Sequence, residues 1–477
     1  MTVVTAHPLD QRLASVLPAS ALYAVGGRVR DEFRARLDST IPPPKDLDYV
    51  VTGLSVEALV ARLRTIGRVN VVGASFSVVK LSALEGDADL ALPRREYSTG
   101  TGHKDFAVES GPDITIEEDL GRRDFRMNMI ARRIGDGAIV DPYGGVRDIE
   151  AGVIDIVSPQ TFLEDPLRLL RAAQFGARFG YELSEAARSG MLAAASLVRT
   201  VSPERVCEEL LKLFGTAGRP SVGIEILRTT GVLVELWPEI AEGLGVDQNE
   251  WHAYDVYRHN LETADAAPAG DVILRLAALL HDVGKPRTKD GPHFYRHEHV
   301  GADMAAAMLA RWRFPNETIA TVEHLVRSHM YSADPELAPK AIRRFINRIG
   351  PAHLERLFAL RHADIIGSGL PKRSQENELF EARVAQILEE KPALNVRDLA
   401  ISGEDVIALL IEHGAATAEF RGDQRVGATL AALFEEVVDD PTRNERHLLV
   451  ERAKRFIDER FQMGGAQTQR GERSEHH

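Results

Sequence analysis

The chain has 477 residues, 44% hydrophobic and 27% charged, the make-up of a globular protein with room for roughly two to four domains. Its net charge of −13 argues against wholesale non-specific nucleic-acid binding, and the single cysteine, Cys207, excludes an internal disulfide or a cysteine-built zinc site. No apolar run approaches the ~18–20 residues of a membrane helix, and residues 1–10 have neither a basic start nor an apolar centre, so a cytoplasmic protein is expected. In chain order, Leu22–Val25 reads as a short apolar strand, Gly26-Gly27 closes it, and Arg28–Leu37 has helical character. Bare backbone amides and a helix start then face one space, which suits an anionic phosphate. Arg30 adds a forked, charge-assisted donor in the first turns. Asp46 and Asp48 follow at i and i+2 at the start of a second strand, so alternation puts both carboxylates on one face. Such a pair repels itself unless a cation lies between, and Mg²⁺ also binds phosphate oxygens.

Either element alone is commonly a plain corner or an acidic turn. In this order, Val25-Gly-Gly-Arg-Val-Arg-Asp31 and Lys45-Asp-Leu-Asp48 resemble the opening of the class II nucleotidyltransferases, the bacterial tRNA CCA-adding enzymes and their poly(A) polymerase relatives. Neither a Gly-x-x-x-x-Gly-Lys-Ser/Thr loop nor a Gly-x-Gly-x-x-Gly fingerprint is present, which disfavours a P-loop ATPase or a dinucleotide-binding dehydrogenase. Strands are expected over 21–25, 46–51, 67–73, 76–83 and 88–92, with a helix over 55–65. The resemblance implies that Asp89 is a third catalytic carboxylate activating the attacking hydroxyl, with Arg94 following it. Ser98 to Lys104 reads as a mobile loop. Glu117-Glu-Asp-Leu-Gly-Arg-Arg-Asp-Phe-Arg-Met-Asn128 resembles the family stretch whose arginines and asparagine hold triphosphate and ribose, which implies these roles for Arg123 and Asn128. Asp124 is expected to cap a short helix. Asp141 to Asp148 reads as a turn entering a helix.

From about residue 158 the pattern becomes helical. Glu164-Asp-Pro-Leu-Arg-Leu-Leu-Arg171 opens with an acidic cap and Pro166 in the first turn, and Leu167, Leu170, Phe175 and Phe179 give an apolar stripe. Asp165 and Arg168, three apart, are expected to be neighbours on one helix face. The segment resembles the family's base-reading helix, which implies that Asp165 and Arg168 hydrogen-bond the Watson–Crick edge of the incoming base and that Arg171 is a further nucleotide contact. Gln174 stands where the family has arginine. Ser202-Pro203 starts another helix, in which Glu204 and Arg205 read as structural.

Half of the 16 histidines fall between 252 and 329. His281-Asp282 ends an apolar helix, and the following Gly284 is expected to turn the chain away. Imidazole and carboxylate together suit a transition metal or a mixed metal–water centre. His259, His281, Asp282 and Asp364 follow the ligand order of the HD-domain phosphohydrolases, with His297 and His329 as additional candidates. That resemblance implies a divalent Mn, Ni, Fe or Co and hydrolysis of a 2′,3′-cyclic phosphate or a phosphate monoester. Arg311, Arg313, Arg327, Lys340, Arg343, Arg344 and Arg348 mark either an RNA-backbone surface or a solvated helix face. Val396–Gly403 and Asn444 resemble the family's tail.

The expected architecture is an α/β nucleotidyltransferase head (1–157) followed by an all-α neck (158–248), HD body (249–372) and tail (373–462), with 463–477 disordered. The expected reaction is attack of a tRNA 3′-hydroxyl on CTP or ATP, Asp46 and Asp48 holding Mg²⁺ and Gly26, Gly27 and Arg30 the phosphates. The rivals are a poly(A) polymerase, a partial enzyme adding only CC or only A, or an HD phosphohydrolase with a nucleotide-sensing head.

Overall fold

A computed structural model describes residues 7–42, 46–72, 78–98, 106–248, 250–371 and 375–461. Lys45, most of the expected loop up to Lys104 and the expected disordered segment 463–477 lie outside the described residues. The chain packs as two units, one over 1–326 with 366–369 and the other over 327–365 with 370–477.

In the first unit, α1 (Pro8–Ala14) precedes β1 (Leu22–Val25), α2 (Gly27–Leu37), β2 (Asp48–Val51), α3 (Val56–Leu63), β3 (Gly67–Val72), β4 (Val78–Ala83) and β5 (Gly86–Ala91). A ribbon of β6 (Arg94–Ser98) and β7 (Phe106–Ser110) follows, then α4 (Ile116–Gly121), β8 (Ala131–Arg133), β9 (Ile139–Val140) and α5 (Gly145–Ala151). The main sheet has the order β3-β4-β5-β2-β1-β8-β9. Its neighbours run antiparallel except β2 and β5, which run parallel with Asp48 opposite Asp89. Alternation sorts the strand residues into two cores. Leu22, Tyr49 and Val51 pack with Leu9 and Leu13 of α1 and Leu59 and Leu63 of α3. Tyr23, Val25 and Val50 pack on the other side with Ile116, Leu120 and Met129. The strands expected from the sequence are present; β6 lacks the apolar run that marks β1 and β2, and β8 and β9 span only three and two residues. Asp141 starts α5 as expected, accepting from the Gly145 and Val146 amides at 2.7 and 3.0 Å.

The helical part begins with α6 (Gln160–Glu164), α7 (Arg168–Phe179), α8 (Glu185–Ala194), α9 (Pro203–Thr216) and α10 (Pro220–Thr229). Leu167, Leu170 and Phe175 are buried, whereas Phe179 is only half-buried. Helix Val256–Ala266 carries His259, His281 follows helix Val272–Leu280 as its C-cap, and His297 opens helix His297–Arg311. In the second unit, Tyr331, Phe345, Phe358 and Phe380 form an aromatic cluster. Helices Gly403–Glu412, Gln424–Asp439 and Arg446–Arg460 share a core of leucines, valines and Phe434. Asn444 clips this tail, donating to the Asp398 carbonyl and accepting from the Ala400 amide, both at 2.8 Å. Among the described residues no helix is long and apolar enough to cross a membrane.

Candidate nucleotide and metal sites

Gly26 sits at φ +61°, which favours glycine, and a Cβ there would lie 2.6 Å from Arg123 Nη1 and push that guanidinium aside. The turn leaves the start of α2 facing a cavity of about 410 Å³ lined by Gly26, Gly27, Arg30, Asp48, Arg122, Arg123, Asp124, Asn128, Asp165, Arg168 and Arg171. Every residue singled out from the sequence as a nucleotide contact is in that lining. Asp48, Arg122 and Arg123 also border a second cavity of about 200 Å³, shared with Asp89, Arg94 and Asp119.

The guanidiniums are held from behind by carboxylates. Arg30 donates to both oxygens of Asp31 at 2.9 Å and to Asn128 Oδ1 at 2.8 Å. Arg122 and Arg123 share Asp119, at 2.9 and 3.0 Å. Burial alone would raise the Asp119 carboxyl, but the Arg123 and Arg122 guanidiniums hold it below its ordinary range. Asp124 does not cap a helix: the short turn 126–128 is entered from an extended Phe125. Its buried carboxylate instead accepts from Arg171 at 2.7 and 2.9 Å and from the Asn128 amide at 2.8 Å. Against the cost of burial, Arg171 and then Asn128 hold that carboxyl low.

Asp165 and Arg168 share the cavity but not one helix face. Pro166 disfavours helical backbone at the residue before it, so Asp165 is extended and α7 proper starts at Arg168. Asp165 accepts from Arg205 at 2.8 Å, which gives Arg205 a part in the site as well as in the packing. Arg168 donates to Glu164 Oε2, the Thr161 carbonyl and the Arg122 carbonyl. Gln174 is buried and donates to Thr216 Oγ1 at 3.3 Å, away from the cavity lining. Sequence reasoning does not find Asp119, Asp124, Arg205 or Glu209, the last a buried carboxylate 3.6 Å from Arg171, as site residues. Asp119 was detectable from its helical spacing to Arg122 and Arg123; the Asp124–Arg171 pair spans 47 residues and carries no local signal.

The Asp48 carboxyl is raised by burial and then by the Asp46 and Asp89 carboxylates. Asp46 is exposed just before β2, and Asp89 keeps Lys80 at 3.4 Å. Clustered oxygens of one charge, only partly answered by Lys80 and Arg123, fit a hard divalent cation. The expected metal pair therefore has its chemistry, with Asp46 ahead of the strand rather than in it.

The second centre is tighter. The Nε2 atoms of His259 and His281 are 3.1 Å apart and lie 3.4 and 3.2 Å from Asp282 Oδ2. Their ligand atoms lie within 4.8 Å of one another, a grouping that Asp46, Asp48 and Asp89 do not form. His297 Nε2 approaches Asp282 Oδ1 at 3.2 Å. The Nδ1 atoms of His281 and His297 each donate to a backbone carbonyl at 2.8 Å, which orients both rings with Nε2 towards Asp282. This donor set fits a transition metal. Lys285 Nζ, not foreseen, lies 2.5 Å from Asp282, whose carboxyl is held well below its usual range by His281 and then Lys285 despite burial. Gly284 is right-handed at φ −78°; a Cβ there would strike the His297 carbonyl at 2.4 Å, so it serves close packing, not a turn. Asp364 and His329 belong to the second unit. The basic stretch from Arg311 is largely occupied: Arg311 and Arg313 pair with Glu239 and Glu204, Arg344 pairs with Asp439, and buried Arg343 donates to two carbonyls.

Residues 22–155 match the poly(A) polymerase head domain model, 180–244 the model described as a probable RNA and SrmB-binding site of polymerase A, and 249–390 the HD domain model. The multifunctional CCA protein of Nitrosococcus oceani is 35% identical over 87% of this chain and 99% of its own. That of Xanthomonas campestris is 34% identical over 80% and 93%. The fold is shared with the Bacillus stearothermophilus CCA-adding enzyme solved with CTP, at TM-score 0.66 and 22% identity over 95% and 98% of the two chains. It is also shared with the Thermotoga maritima CCA-adding enzyme solved with tRNA, at TM-score 0.53 and 19% identity over 95% and 97%. On this likeness across nearly the full length of both chains, the protein belongs to the multifunctional CCA protein family, nucleotidyltransferases with a poly(A)-polymerase-type head.

Proposed function

We propose that this chain extends the 3′ end of tRNA with C, C and A from CTP and ATP, releasing pyrophosphate. The observation that carries the reading is the single cavity in which the Gly26-Gly27 turn, Asp48 and the arginines of α7 converge. The turn's amides and Arg30 bind the phosphates, Arg123 and Asn128 meet phosphate and ribose, and Asp165, Arg168 and Arg171 read the base. Asp46 and Asp48 hold Mg²⁺, and Asp89, in register beside Asp48, takes the proton of the attacking hydroxyl. A divalent cation bound there lowers the pKa of that hydroxyl and withdraws charge from the phosphate oxygens. Arg30, Arg168 and Arg171, each held by two or more partners, are preorganised and need little reordering when the nucleotide binds.

The boundaries proposed are head 1–157, neck 158–248, HD body 249–372 and tail 373–462, in a cytoplasmic protein. His259, His281 and Asp282 are proposed ligands of a divalent Mn, Ni, Fe or Co, with His297 beside them, supporting phosphoester hydrolysis. The test is incubation of the full-length protein and Mg²⁺ with a tRNA ending at its discriminator base and labelled CTP or ATP, read at nucleotide resolution. Addition of C, C and A is expected. A run of A identifies a poly(A) polymerase, and a stop after CC or addition of A alone a partial enzyme. Phosphoester hydrolysis without incorporation identifies an HD phosphohydrolase with a sensing head.

A further inference from the structure

Beyond the cavity lining, at the outer end of α7, three guanidiniums gather on one ring. The Cζ atoms of Arg34, Arg30 and Arg178 lie 3.9, 4.6 and 5.1 Å from the Phe179 centroid. Phe175 stacks on the same ring at 5.5 Å. Asp31 serves both Arg30 and Arg34, at 2.9 and 3.3 Å. Among the described residues Arg178 has no carboxylate at ion-pair distance. Three positive charges thus meet one negative charge. Cation–π contacts steady the stems, but a ring quadrupole does not neutralise two excess charges.

The direction of this charge is informative. Arg30 and Arg34 stand one turn apart on α2, leading outward from the Gly26-Gly27 turn. Arg178 is seven residues beyond Arg171, hence two turns along the same face of α7 as a cavity-lining arginine. It lies in the field of Asp46 as well as of Arg30, Asp31 and Arg34. The ledge therefore borders the phosphate turn and the metal carboxylates at once. Gln174, one turn earlier, supplies no charge there.

We infer that Arg178 and Arg34 form a polyphosphate ledge, holding the outer phosphates of the bound nucleotide and the pyrophosphate as it leaves. This rests on the nucleotidyl-transfer reading above. As the RNA 3′-oxygen bonds to the α-phosphorus and the bond from that phosphorus to the bridging oxygen breaks, the electron pair and its negative charge pass to pyrophosphate. Arg178 is placed to receive that charge. An RNA backbone phosphate would suit a guanidinium equally, but the ledge continues the phosphate turn and shares Arg30 with it, which favours the nucleotide's own tail.

The test uses full-length protein with Mg²⁺, a tRNA lacking its terminal A, and ATP. Inorganic pyrophosphate is added as product inhibitor, and pyrophosphorolysis of a CCA-ended tRNA is measured in parallel. Arg178→Gln keeps the aliphatic stem and the helix but removes the charge. It should weaken pyrophosphate inhibition and raise the pyrophosphate KM of the reverse reaction about tenfold, the weight of one charge-assisted contact. Arg178→Lys should stay within about threefold of wild type, since a point charge still binds phosphate. Arg34→Gln should shift the same constants in the same direction. Unchanged pyrophosphate constants in Arg178→Gln overturn the ledge. So does a raised KM for tRNA at unchanged pyrophosphate constants, which makes Arg178 an RNA-backbone contact. Failure of the wild type to add any nucleotide would sink the parent reading instead, so the two failures are distinguishable.

Discussion

The nucleotide cavity and the histidine cluster lie in one unit and solve opposite electrostatic problems. The cavity is open and cation-rich: each lining arginine turns part of its guanidinium to a carboxylate or carbonyl behind it and leaves the rest for an anion. The histidine cluster is closed and buried, with one carboxylate among imidazoles and an ammonium. A site for a departing, multiply charged ligand must keep donors spaced apart and wet. One for a resident cation must hold few donors close and dry. Asp48 stands between these designs, half-buried beside other carboxylates yet open to two cavities.

That contrast is broken hardest at Asp48. Asp48→Asn should cut nucleotide addition about a thousandfold, a loss of several kcal/mol in transition-state stabilisation, with an unchanged circular-dichroism spectrum. A folded variant with ordinary incorporation would remove Asp48 from the metal site. The converse break is His281→Ala with Asp282→Ala. Bound transition metal, read by atomic emission, and metal-dependent hydrolysis of a 2′,3′-cyclic phosphate should both fall to background, while addition from CTP and ATP stays within about twofold. Loss of addition in a folded double variant would refute the independence of the two centres.

Sharper tests act within the cavity. Asp165→Ala with Arg168→Ala should let GTP and UTP compete, since each lost edge contact removes roughly 1–3 kcal/mol of discrimination. Loss of rate with selectivity intact would make the pair structural. Asp124→Asn removes the nearer of Arg171's two carboxylates, and the KM for both nucleotides should rise about tenfold with kcat less affected. A change in melting temperature alone would limit Asp124 to packing. The smallest effect is at the tail, where hydrogen bonds from Arg446 and from the Ser402 amide push the Asp405 carboxyl down to about 2. Because the folded value lies below the unfolded one, this contribution is complete above the ordinary carboxylate range and fades as pH falls through about 2. Acid titration of Arg446→Ala against the parent should show the tail helices differing in neutral buffer and converging below that point.

Local pattern made much of the head legible. Gly26-Gly27, the Asp46/Asp48 spacing, the apolar runs of β1 and β2 and the alternation of β5 are each written within a few residues, and the cavity brings the expected nucleotide contacts together. What the pattern could not supply is the backing of each arginine. Asp124 meets Arg171 across 47 residues and Asp165 meets Arg205 across 40, and nothing local tells such an acid from a solvated one. The helix starts at Arg168, two residues after Pro166, because a proline that suits a first turn also keeps Asp165 before it extended. At Gly284 a close helix approach looked like a turn, since sequence shows the missing side chain but not what presses into its place.

The tethers of Arg168, Arg171 and Asp165 also bear on biosynthesis. A nascent chain that has delivered the sheet, the glycine turn and all three carboxylates still lacks α7, and α7 in turn draws on Arg205 and Glu209 of α9. The ribosome must therefore release some fifty further residues after the head before the lining residues Asp165 and Arg171 have all their tethers. During that interval Asp165 and Arg171 are present without the Arg205 and Glu209 that hold them, so an incomplete polypeptide carries these side chains unsupported on one side.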